Sequence, residues 1–90
     1  MRNRKSSLKA SRQEPERLVR WEFLRGSDRL SCLIDRDRTS GMFGVALVGS
    51  RGPARGSAET FRALTSALAR HATLASVLRA DGWKLAAYTA

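Results

Sequence analysis

The chain has 90 residues, with 17 Lys and Arg against 8 Asp and Glu, and it carries a net charge of +9. A chain of this length fits one small domain that buries only about 60 to 65% of its unfolded surface, and a homodimer would add stability. One Cys and one His exclude an intramolecular disulfide and the usual structural zinc site. The apolar run 41–49 is too short for a membrane helix, and the N-terminus has no apolar signal core. We therefore expect a cytoplasmic protein without a cofactor or a membrane partner.

The first sixteen residues are predicted to form a disordered basic arm, followed by a single domain over residues 17–90. The arm has few apolar residues, and Pro15 interrupts any helix that begins before it. A cluster of like charge indicates a polyanionic partner, because cations bind phosphate groups without requiring a particular sequence. The five basic residues of the arm are Arg2, Arg4, Lys5, Lys9 and Arg12.

Alternating apolar and polar residues after position 17 predict an antiparallel β-hairpin. A two-residue turn at Gly26-Ser27 would join the strands, and a turn at Ser27-Asp28 would keep the same side chains on each face. With the first turn one face is continuously apolar. Its cross-strand pairs are Phe23 with Leu30, Trp21 with Cys32, and Val19 with Ile34.

The remaining elements are predicted to be a third strand, a helix and a final strand. The third strand is Met42 to Val48, and a loop over residues 49–56 follows it with three Gly and one Pro. Ser57 is predicted to cap a helix of about 23 residues, with Glu59 in its first turn and Asp81-Gly82 at its end. Trp83 to Tyr88 is the final strand. The predicted class is α+β in the order β-β-β-α-β, with the final strand parallel to the third if the two are neighbours.

No residue constellation in the sequence indicates catalysis. His71 lies on an apolar helix face without a carboxylate three or four positions away, and Cys32 is predicted to lie in the core. Asp35 and Asp37 are spaced like the start of a calcium loop, but Ser40 and Ala46 replace the required Gly and Glu. A solvated, self-paired turn is therefore predicted there, and the chain is not expected to be an enzyme.

The loop between the third strand and the helix is a second candidate for phosphate contacts. It lies before a predicted helix N-terminus, where backbone N–H groups favour an anion. It has no Gly-Lys-Ser/Thr motif, so a mononucleotide site is not predicted. Arg51 and Arg55 could instead contact nucleic-acid phosphate, and a plain connection is the alternative.

The sheet face that the helix does not cover is predicted to be mixed. Arg20 and Arg29 on this face fit a nucleic-acid contact, whereas its apolar residues fit a dimer or partner contact. Those apolar residues are Leu18, Leu24, Leu33, Met42 and Val48.

Three antiparallel strands followed by a helix resemble, in element order, small DNA-binding domains that place a sheet in the major groove. Examples are the plant GCC-box-binding domains and the arm-binding domains of phage integrases. Those families lack the strand after the helix and expose few aliphatic residues, so no membership is assigned. The sequence predicts a small protein that binds DNA or RNA phosphate largely non-specifically. The alternative is a dimeric interaction or adaptor module that contacts an acidic protein and has no catalytic activity.

Overall fold

A computed structural model describes residues 14–49, 52–53 and 58–89 of the chain. The described residues form one helix and six strands, and the predicted α+β class is confirmed. The elements are β1 (Glu16–Arg25), β2 (Asp28–Arg36), β3 (Phe43–Gly49), β4 (Gly52–Pro53), β5 (Glu59–Phe61), α1 (Leu64–Ala80) and β6 (Lys84–Thr89). β1 begins at Glu16, one residue before the predicted domain boundary.

The strands form one antiparallel sheet in the order β4-β3-β2-β1-β6, with β5 also paired to β3. α1 therefore connects β5, at the β3 side of the sheet, to β6 at the opposite edge. The final strand was expected to be parallel to the third if they were neighbours, but it pairs antiparallel with β1.

The predicted hairpin register is confirmed, because all three predicted cross-strand pairs are present. Phe23, Ile34 and Cys32 are fully buried on the side of the sheet that packs against α1. Alternation thus places one apolar face of β1 and β2 under the helix. Ala75 and Leu78 of α1 contribute to the same core.

His71 is a buried residue on the core side of α1. It is 4% exposed, and its Nε2 lies 3.1 Å from the Cys32 carbonyl oxygen, to which an Nε2–H donates. Its ring stands nearly perpendicular to that of Trp21, with 5.1 Å between the two ring centroids. Burial raises the pKa of the Cys32 thiol to about 11, so this residue is held as a neutral core side chain.

The predicted start of the helix is wrong. α1 begins at Leu64 after Ala63, whose backbone is extended and whose side chain provides no cap. Glu59 lies in β5 opposite Val45, and it accepts two hydrogen bonds from Arg70 of α1, at 2.9 and 3.0 Å. Pairing with the edge of β3 outweighs the local helix preference because it satisfies backbone groups that the edge would leave open. The predicted cap Ser57 lies outside the described residues.

Arg25 fixes the connection from α1 to β6. Its guanidinium donates to the Asp81 carbonyl oxygen at 3.0 Å and to Asp81 Oδ2 at 2.8 Å, and it lies 4.5 Å over the Trp83 ring. Gly82 has φ of +91°, a conformation that glycine adopts without strain. These contacts turn the chain so that β6 lies beside β1.

The segment between β2 and β3 is a turn built on Asp37. Asp37 Oδ1 accepts from the backbone N–H of Thr39 at 2.7 Å and of Ser40 at 3.0 Å, while the Asp37 carbonyl oxygen accepts from Gly41 N–H. The prediction of self-pairing among residues 35–38 is wrong. Asp35 and Arg36 instead bind Arg17 and Glu16, which the β1–β2 pairing brings beside them, and Arg38 Nε donates to the Glu14 carbonyl oxygen.

We expect this turn to contribute an acid-sensitive part of the stability. The hydrogen bonds from Ser40 and Thr39 lower the pKa of Asp37. The contribution is therefore complete above the ordinary aspartate pKa of about 4 and is lost as the pH falls through the lowered value. Thermal unfolding of the natural chain and of Asp37→Asn should be followed from neutral to acidic pH. The amide oxygen accepts at every pH, so the two curves should converge in acid, and parallel curves would contradict this assignment.

Candidate nucleic-acid interface

The side of the sheet opposite α1 is the candidate interface, and we call it the open face. By the strand register it carries Arg20, Glu22 and Leu24 of β1, Arg29, Ser31, Leu33 and Asp35 of β2, and Ala46 and Val48 of β3. Lys84 of β6 is opposite Leu24 and joins this face. Arg17, opposite Asp35, also lies on this face. Four cations and two carboxylates leave a small positive excess on the open face.

Glu22 lies between the two arginines that the sequence predicted to contact phosphate. Arg20 Nη2 is 2.6 Å from Glu22 Oε2, and Arg29 Nη1 is 3.8 Å from Glu22 Oε1. Both guanidinium side chains are at least half exposed. Exposed ion pairs contribute only about 0 to 1 kcal/mol, so a phosphate group can compete with this single carboxylate for two arginines.

Arg17 and Asp35 form a tighter pair at the start of the hairpin. Arg17 Nε donates to Asp35 Oδ1 at 2.5 Å, and its Nη2 donates to Oδ2 at 3.2 Å. The hydrogen bond to Asp35 raises the pKa of Arg17. This fork uses both carboxylate oxygens, so Arg17 is less available to a phosphate than Arg20 or Arg29.

A groove of about 290 Å³ lies at the β3 side of the open face. Its carboxylates, Asp35 and Asp37, already accept hydrogen bonds from Arg17 and from the Asp37 turn. Two negative groups make the groove unsuitable for an anion. The lining residues are Pro15, Asp35, Asp37, Ser40, Met42, Gly44 and Thr60.

The predicted partner residues do not form one apolar surface. A β-bulge leaves Leu18 without a cross-strand partner, and its side chain packs with Val19 and Ile34 on the helix side. Leu33 is on the open face but is only 7% exposed, whereas Leu24 is 36% exposed. Met42 and Val48 are half-buried. The aliphatic surface open to a partner is therefore smaller than the sequence indicated.

Seven of the nine predicted phosphate-binding residues lie outside the described residues: Arg2, Arg4, Lys5, Lys9, Arg12, Arg51 and Arg55. The structure places the other two, Arg20 and Arg29, together on the open face. Sequence reasoning missed Arg17 and Lys84 as members of this face. Alternation would have placed Lys84 on one face of β6, but the neighbour of β6 could not be predicted from sequence.

The segments that carry those seven cations join the described fold at the β3 side. Pro15, near the end of the predicted arm, lines the groove with Gly44 of β3 and Thr60 of β5. β4 lies between residues 50–51 and 54–57, and it pairs with the end of β3. The arm therefore meets the fold near the start of β3, and the second cationic segment adjoins the end of the same strand.

No protein-family model matches the chain. Searches of curated proteins and of solved structures give no significant match. The described residues contain no group of three or more His, Cys, Asp and Glu side chains that could hold a metal ion. Their helix is not long and apolar enough to cross a membrane.

Proposed function

We propose that this protein binds nucleic-acid phosphate largely without sequence preference. The observation that carries the proposal is the distribution of charge. The described residues hold ten basic and all eight acidic side chains, a net charge of +2, whereas the other residues hold seven basic and no acidic side chains. A domain that pairs most of its own charges, attached to unneutralised cations, is typical of proteins that bind a polyanion through counterion release.

The attachment of these cations along one side of the sheet supports the proposal. Because both segments join the fold near β3, their charges can act on one polyanion rather than on opposite sides of the molecule. Arg20 and Arg29 add two exposed guanidinium groups on the adjoining open face. Within the part of the chain that the structure describes, no recognition element for bases is present, so the phosphate backbone is the proposed ligand.

The test is a salt titration of duplex DNA binding by the full chain, followed by fluorescence anisotropy. Seven neutralised phosphates predict a slope of log K against log salt of about −6. Arg51→Gln/Arg55→Gln should reduce the steepness of the slope by about 2. The matched control is Arg62→Gln/Arg79→Gln, which removes the same charge near the ends of α1, where neither guanidinium has an ion-pair partner among the described residues.

The two double variants separate a defined interface from bulk charge. Equal losses in both would show that only net charge matters and would overturn the placement of the interface at the β3 side. Absence of binding by the full chain at low salt would overturn the proposed function. Repeating the titration with duplex RNA shows which nucleic acid the chain prefers.

Glu22→Gln is expected to raise duplex affinity about three- to tenfold at low salt, because it releases two arginines from exposed pairs that each contribute up to about 1 kcal/mol. The matched control is Glu16→Gln. It removes the same charge, but it releases Arg36, whose side chain lies toward the helix side of the sheet. The same gain in both variants would show that Glu22 has no special position, and no gain in either would exclude the open face from binding.

A further inference from the structure

β6 is the outermost strand on the β1 side of the sheet. Among the described residues its only strand partner is β1, so half of its backbone N–H and C=O groups point outward without a strand partner. The opposite edge differs, because β3 is covered there by β4 and β5, which have two and three residues. With six residues, β6 is the longer open edge.

Few of the features that usually protect an edge strand are present in β6. The strand has no proline, and its one charged residue is Lys84 at its first position. The five residues after Lys84 are uncharged, and four of them are exposed. Tyr88 is 66% exposed, and its ring lies 6.0 Å from that of Trp21. An uncharged open edge with an exposed aromatic side chain is a template for pairing with another strand.

We propose that β6 pairs antiparallel with β6 of a second copy, around a two-fold axis between Ala86 and Ala87. An edge strand paired with its own copy is self-complementary under such an axis. In this register Lys84 faces Thr89 of the second copy, and Leu85 faces Tyr88. The partner is a second copy rather than an unrelated strand because, in this register, each side chain of β6 faces a side chain of the other copy that lies on the same side of the sheet.

This match depends on the bulge in β6. Glu22 pairs with Ala87 and Phe23 with Leu85, so Ala86 is an extra residue. The extra residue puts Leu85 and Tyr88 on the same helix side, although they are three positions apart. Without it, the two side chains would point to opposite faces and could not meet across the axis.

The proposed pairing is also compatible with the charge of Lys84 and with the exposure of Tyr88. The two Lys84 side chains would be about 17 Å apart along the strands, beyond the screening length of about 8 Å in physiological salt. Tyr88 of each copy would cover Leu85 of the other and would lose its exposure. The two open faces would become one continuous surface. Dimer formation does not require nucleic acid, so this inference stands apart from the proposed function.

The test is the mass in solution of the full chain without nucleic acid, measured by light scattering from micromolar to millimolar concentration. The mass should rise from 9.9 kDa toward twice that value. Ala86→Lys/Ala87→Lys should remain at the monomer mass, because it puts four like charges at the axis. The matched control Ala69→Lys/Ala72→Lys changes two exposed helix residues in the same way and should still dimerise.

Hydrogen exchange of the unmodified chain gives a second measurement that does not depend on any variant folding. Protection of the amides in residues 84–89 should increase with protein concentration, while the amides of β3 should not change. A monomer at every concentration would overturn the proposal. A dimer that Leu24→Glu dissociates and the lysine pair in β6 does not would instead assign the contact to the open face.

Discussion

Replacement of the five basic residues at positions 2, 4, 5, 9 and 12 by glutamine is expected to lower duplex affinity about 3 × 10⁴-fold at 0.1 M monovalent salt. Each phosphate contact releases about 0.9 counterion, and this release gives no net gain in affinity at 1 M salt. Five contacts therefore change log K by about 4.5 when the salt concentration falls from 1 M to 0.1 M. The slope of log K against log salt should become less steep by about 4.5. These five residues are more than half of the net charge of +9, and no acidic residue accompanies them in the first twelve positions.

The control for this variant is a measurement of whether the domain is still folded. Far-ultraviolet circular dichroism and the melting temperature should stay unchanged, because none of the five substitutions falls within the described elements. A loss of affinity with an unchanged slope would mean that the substitutions act through something other than phosphate contacts. Unchanged affinity would overturn the role of this segment, and the search would then turn to an acidic protein partner.

Phe23→Ala is expected to destabilise the domain by about 3 to 5 kcal/mol. Phe23 has no exposed surface and packs with Leu30, Cys32, Ala75 and Leu78, so truncation leaves a cavity between sheet and helix. A domain of this size has a total stability of only about 4 to 12 kcal/mol, so the variant should be partly unfolded at physiological temperature. Urea unfolding at fixed protein concentration measures the loss as a lower midpoint.

Phe61→Ala is the matched control for Phe23→Ala. It removes the same side chain from β5, where Phe61 is only half-buried and packs against a core cluster of Val19, Ile34, Val45 and Ala67. The cost should be clearly smaller, because less surface is withdrawn from water. Equal losses in the two variants would contradict the assignment of Phe23 to the centre of the core.

The hairpin could be predicted from sequence because its signals are local. Alternation fixes which side chains share a face, and the two-residue turn at Gly26 fixes the register. The start of the helix could not be predicted in this way. Residues 59–61 have a sequence compatible with a helix, and they become a strand only because the edge of β3 is available to them. The position of β6 beside β1 likewise depends on tertiary contacts, such as those of Arg25 with Asp81 and Trp83.

The candidate interface was predictable to a similar extent. Alternation placed Arg20 and Arg29 on one face, and the structure has them there. It could not reveal that both share Glu22, because that contact depends on side-chain conformations across two strands. The bulge at Leu18 has no glycine or other local marker, so a strict period of two assigned that side chain to the wrong face. Leu33 shows that a residue can lie on an open sheet face and still be only 7% exposed.

The adjacency of the first and last strands has a consequence for the order in which the protein folds. β1, β2 and β3 pair with neighbours along the chain, whereas the residues of β1 and β6 that pair are sixty or more positions apart. Closing that long loop loses chain entropy before any pairing compensates for it, so the three-stranded meander should form early and β6 should join last. Substitutions in β6 should then speed unfolding and leave the folding rate almost unchanged. The strand proposed to join two copies is thus the one that completes each of them.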